Sequence, residues 1–127
     1  MRGTRSAGFA VLLAMVAPVA ALAHAKMTTT VPNDGATVPQ GLSEIQLDFS
    51  KPMRLTLVRL VRTKEQQQVP TKSELPKSFV KSAKIAVEAL TAAPYEVFWT
   101  AVADDGHVMN GSIKFFVGGA LSAKPTQ

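Results

Sequence analysis

The chain has 127 residues, with 14 Lys and Arg against 9 Asp and Glu, two His and no Cys. A formal net charge of +5 without any Lys/Arg run gives nucleic-acid binding no support. The absence of Cys excludes a disulfide scaffold, thiolate metal sites and a cysteine nucleophile.

Residues 1–23 have the parts of a secretory signal. Arg2 and Arg5 form a positive start, Phe9 to Val16 an apolar run, and Ala21 and Ala23 the small residues before a cut. The run is interrupted by Pro18 and is short for the ~20 residues of a membrane span. The expectation is therefore a leader over 1–23, one domain over 24–118 and a frayed tail over 119–127. With Arg2 and Arg5 gone, 12 of the 14 basic residues remain against 9 acidic ones. A cut after Ala23 also makes His24 the first residue. Its α-amine and imidazole could then chelate a metal in one ring.

After His24 the chain reads as strands and turns. Met27 to Val31 is rich in Thr and Val, which suits a first strand, and Pro32-Asn33-Asp34-Gly35 is a dense turn signal. From Gly41 the next strand opens. Ile45, Leu47 and Phe49 alternate there with Glu44, Gln46 and Asp48, a period of two with one buried face. Ser50-Lys51-Pro52 is expected to end it. Arg54 to Arg62 alternates as well, but both faces carry apolar residues, and the period does not decide which is inward. Thr63 to Lys77 is polar, carries Pro70 and Pro76, and reads as a long connection with a short edge strand near Gln68-Val69. Phe79 to Leu90 has Ile85 and Val87 at strand spacing; a helix competes because Ala, Lys and Glu are good helix formers. Its β neighbours favour the strand. Tyr95 to Val102 and Gly111 to Val117 are the last two strands, joined by the loop Ala103-Asp104-Asp105-Gly106-His107. About seven short strands at this spacing predict an all-β sandwich.

The chemistry rests on few residues. His24 and His107 are the only histidines; Asp105 stands two residues before His107, with Asp104 beside it. An amine, imidazoles and a carboxylate favour tetragonal Cu(II). Zn(II) accepts the same donors in a tetrahedral arrangement, whereas Ca(II) and Mg(II) want an oxygen shell. The plain alternative is that these are solvated loop residues. Met27, Met53 and Met109 are dispersed and read as gap-filling apolar residues. No serine elbow, phosphate loop or HExxH motif is present.

Taken together, the residues resemble the CopC-type periplasmic copper-binding proteins. The resemblance runs from His24 through Val31-Pro32-Asn33-Asp34-Gly35-Ala36 and Ile45-Gln46-Leu47-Asp48-Phe49-Ser50. It continues through Tyr95-Glu96-Val97-Phe98-Trp99 and Asp104-Asp105-Gly106-His107 to Gly111-Ser112-Ile113-Lys114-Phe115. It implies an Ig-like, cupredoxin-like Greek-key sandwich. It further implies Cu(II) held by His24 (amine and ring) and His107, with Asp105 beside the metal and Asp104 as the nearby alternative. By the same resemblance the protein is a periplasmic, monomeric copper carrier or buffer in copper resistance, not an enzyme, and works with an inner-membrane copper transport protein. Some members hold Cu(I) in a Met-rich segment; Thr63 to Phe79 has no Met here, which implies a Cu(II)-only member. Val108 stands where the family often has Pro.

Two other functions compete: a histidine-brace copper monooxygenase, and a metal-free Ig-like assembly module. The single Trp and single Tyr give little material for a sugar platform. For the last hairpin the expected register sets Trp99 opposite Phe115 and Phe98 opposite Phe116. Tyr95, Val97, Trp99, Ile113, Phe115 and Val117 then share the core face. Phe98 and Phe116 lie on the other face, covered by the 63–79 connection or reserved for a partner.

Overall fold

A computed structural model describes Gly3 and residues 25–118. The leader, the Ala23-His24 junction and the tail beyond Gly118 lie outside the described residues. Seven strands follow in order: β1 (Met27–Val31), β2 (Thr37–Val38), β3 (Glu44–Arg62), β4 (Gln67–Val69), β5 (Val80–Ala86), β6 (Ala93–Ala103) and β7 (Val108–Val117). Residues 79–90 thus contribute a strand, not a helix, as their β neighbours imply.

β3 is the shared wall. Its first part pairs with β1 on one side and β5 on the other, with Ile45 opposite Ile85 and Leu47 opposite both Ala83 and Thr30. Its second part pairs with β6 and, at Leu60 to Arg62, with β4. β6 continues to β7, and β2 joins β7 in parallel. The sheet is therefore one hydrogen-bonded ribbon that folds over at β3 into the two layers of a sandwich. Phe49 and Trp99, from opposite layers, meet edge to face with centroids 5.7 Å apart. Around them Ile45, Leu47, Ile85, Val97, Ile113 and Val117 form a single buried cluster. Fully burying each such side chain contributes roughly 1.5–3 kcal/mol.

The structure corrects the strand reading in three places. Ser50-Lys51-Pro52 does not end a strand; β3 runs through it and changes partners there. Pairing with β1 stops at Phe49, pairing with β6 begins at Met53, and the register on the β5 side jumps between Asp48 and Met53. Pro52 has no N–H to offer a ladder, so the switch falls where a ladder bond is unavailable. Second, a bulge between Leu55 and Leu57 resets the alternation. Leu55 and Leu60 are 3% and 0% exposed although five residues apart, while Leu57 is 47% exposed. That bulge is why the period of Arg54 to Arg62 could not choose a face.

Third, the β6–β7 register is four residues from the expected one. Tyr95 faces Phe115, Trp99 faces Gly111, and Phe98 faces Ser112. β7 starts at Val108, not Gly111, because the turn is tighter than assumed. A shift of four keeps parity, so the six expected core residues are all buried. The register has a steric cause at Gly111. A Cβ there would lie 2.9 Å from Cζ2 of Trp99, so the indole lies against the bare backbone. Tyr95 and Phe115 stack at 5.6 Å one step along.

Phe98 and Phe116 are consequently not a pair. Arg59 lies over the Phe98 ring at 4.9 Å, whereas Phe116 is exposed and shares an open groove with Thr63 and Gln66. The 63–79 connection flanks one of the two aromatics and leaves the other to Arg59.

Candidate metal centre

The β6–β7 turn is a three-residue loop, Asp104-Asp105-Gly106, closed by the pair Ala103 and His107. Gly106 N–H donates to Ala103 C=O at 3.0 Å, and Ala103 N–H donates to His107 C=O at 2.9 Å. This is the type I turn plus bulge that requires a left-handed third residue, and Gly106 supplies φ +89°. The sequence therefore fixes the turn: polar residues at its first two positions and glycine at the third.

Asp105 then binds His107 twice. Oδ1 accepts the His107 backbone N–H at 3.0 Å, and Oδ2 lies 2.8 Å from Nδ1. The first contact sets the loop and the second sets the ring. A carboxylate at Nδ1 holds the proton on that nitrogen, so the lone pair sits on Nε2. Both side chains are open to solvent, at 55% for Asp105 and 69% for His107. Asp104 is exposed and makes no side-chain contact to the ring. Asp105 and His107 are thus brought together as the sequence suggested, and of the two aspartates it is Asp105 that engages the imidazole.

The start of the described chain lies at the same end of the sandwich. Lys26 and Ser50 exchange two bonds: Lys26 N–H to Ser50 Oγ at 3.0 Å and Ser50 N–H to Lys26 C=O at 2.8 Å. β1 runs antiparallel to β3, with its start beside the Ser50 end of the first part of β3. Ala25 is already buried. Three residues beyond Ser50, Met53 pairs with Ala103, where the loop opens. His24 lies outside the described residues. Among the described residues no group of three or more His, Asp or Glu is placed to hold a metal.

The described methionines add no donors at the loop. Met53 is fully buried, and Met27 and Met109 pack against the core. The sequence reading missed a second carboxylate centre. Asp48, on the outer face of the first layer, accepts from Ser82 Oγ at 2.6 Å, Thr29 Oγ1 at 2.8 Å and Gln46 Nε2 at 3.0 Å. These bonds, that from Ser82 foremost, hold its carboxyl below the usual value. In the sequence Asp48 was only one outward residue of an alternating strand, with no sign that three strands would converge on it.

Comparison with known proteins follows this geometry. The family model for the CopC domain matches residues 27–118. The fold is similar to the crystal structure of PcoC, a methionine-rich copper resistance protein from Escherichia coli. That match has 30% identity, a TM-score of 0.59, and covers 75% of this chain and 99% of that one. The structure of CopC from Methylosinus trichosporium OB3b matches with TM-score 0.64 over 80% of this chain and all of that one, at 16% identity, which speaks to the fold. Comparison with curated protein sequences returns no match. The sandwich, the β6–β7 loop and a domain match spanning every strand place this chain in the CopC family.

Proposed function

We propose that the protein is a periplasmic Cu(II)-binding carrier or buffer in copper resistance and homeostasis, with no catalytic role. The observation that carries it is the Asp105–His107 pair: an exposed imidazole presenting Nε2, held by a carboxylate, at the end of the sandwich where β1 begins. The copper ion is cargo. His107 would supply one imidazole and His24, as the first residue after a leader over 1–23, an amine and a second imidazole. Asp105 steers the His107 ring and adds negative charge beside the metal. This donor set is nitrogen-rich with one carboxylate nearby, which suits Cu(II). The described methionines are in or against the core, so nothing in the described part offers Cu(I) a thioether cluster. A protein of the inner membrane that carries copper is the partner this reading implies, with the carrier itself a monomer.

The test is Cu(II) titration of protein beginning at His24, followed by EPR. A tetragonal, nitrogen-rich signal is expected, lost in His107→Ala and weakened by a hundredfold or so in affinity when one residue precedes His24. Copper must displace a proton from the amine, so affinity falls with pH. An aquo-copper spectrum for the unaltered protein would sink the reading. Reductant-dependent peroxide production by the copper-loaded protein would replace it with the monooxygenase-like one.

A further inference from the structure

The outward face of the second layer carries an arrangement that the metal loop does not use. Across it, Val108 pairs with Val102 and Val102 with Arg54; one row on, Leu57 pairs with Thr100. Val108, next in sequence to His107, is 63% exposed, and Leu57 nearly half exposed. Further along, Leu57, Arg59, Phe98 and Asn110 line a shallow depression of about 410 Å³. Three cations project on this face, Arg54, Arg59 and Lys114, and among the described residues none has an ion pair, whereas Lys72, Lys84 and Arg62 elsewhere do. Glu96, opposite Lys114, is the one carboxylate among the outward positions of β6, β7 and the Met53–Arg62 part of β3. Arg54 and Arg59 are each stacked on an aromatic ring, Phe79 at 5.6 Å and Phe98 at 4.9 Å. Stacking holds a guanidinium by its face and leaves its N–H edge for a carboxylate.

We propose that this face docks an acidic protein partner, one presenting carboxylates around an apolar side chain that enters the depression. The charge argues against a second copy, since three cations facing three cations repel. The shape argues against a bilayer, because the apolar groups line a hollow and do not form a protruding tip. The surface adjoins His107, so a docked partner lies beside the loop; that it receives or supplies copper there rests on the function proposed above.

The test uses the processed chain without copper, labelled for NMR, and a blocked hexapeptide of sequence EDLFDE. Amide shifts at Leu57, Phe98 and Asn110 are expected, weakening several-fold as salt rises to about 0.5 M. Arg59→Glu, and separately Arg54→Glu, should abolish them while melting temperature and the Cu(II) EPR signal stay unchanged. No shifts, shifts elsewhere, or equal shifts from the neutral peptide QNLFNQ would overturn the proposal. So would equal shifts at these amides from phosphatidylglycerol vesicles, or self-association through this face. If the peptide binds as expected but the EPR signal is aquo-copper, the copper reading falls and the docking face stands.

Discussion

Two carboxylates in this molecule each accept several hydrogen bonds, and they do opposite things with them. Asp48 gathers donors from β1, β5 and its own strand, so it ties three strands of one layer together. Among the described residues, Asp105 takes two bonds from one residue, His107, two positions on. The first network spans elements distant in sequence and serves the fold. The second, among the described residues, joins two positions of one turn and ties no strands together. A carboxylate's role is set by where its donors come from, more than by how many it has.

The largest separation is expected in copper binding. Asp105→Asn should reduce Cu(II) affinity by about 10–100-fold, since one of its two acceptor oxygens becomes an NH2 donor, so backbone N–H and imidazole can no longer both be held, and the charge is lost. Its apo melting temperature should stay close to that of the unaltered protein; titration calorimetry and thermal melting read the two effects. Gly111→Ala comes next, with the opposite signature. The added Cβ meets the Trp99 indole at 2.9 Å, and overpacking of this kind costs about 1–3 kcal/mol, seen as a lower denaturation midpoint. If that variant is as stable as the parent, the indole does not lie where the register puts it.

Asp48→Ala should destabilise by about 1–2 kcal/mol while leaving Cu(II) affinity unchanged. The network is well exposed to solvent, which keeps the effect small. The smallest effect is in pH. The folded-state pKa of Asp48 is lowered, chiefly by the Ser82 bond. The stability it contributes is therefore full above the unfolded carboxyl pKa of about 3.9 and is lost as pH falls below it. Melting curves for the parent and Asp48→Ala should converge on acidification below about pH 4. Curves that stay parallel would show that the charge on Asp48 is not what ties the strands.

Side-chain alternation made much of the fold legible. Ile45, Leu47 and Phe49 announced one buried face, and the alternation of Tyr95, Val97 and Trp99 against Ile113, Phe115 and Val117 survived a register error of four. What stayed hidden were backbone events without a side-chain period. Examples are the passage of β3 through Pro52, the bulge after Leu55 and the two-residue parallel strand Thr37–Val38. The correct hairpin register was nonetheless encoded: Gly111 is the one residue of β7 that could lie under an indole. At the site, Asp105 and His107 were legible because His107 is one of two histidines and follows Asp105-Gly106 in a turn. That the carboxylate would grip Nδ1 was not, since it depends on the turn's geometry. The part of the site resting on His24 lies outside the described residues.

The long third strand has a consequence for how the molecule comes apart. Both layers draw hydrogen bonds from the same 19 residues, Glu44 to Arg62. Each layer draws on its own part of that strand, but both bury their side chains in one shared core, so opening either layer exposes the apolar face of the other. The sandwich is thus a single cooperative unit. Residues as remote as Ile85 and Val97, in different layers, share one unfolding event through a core and a strand that belong to both.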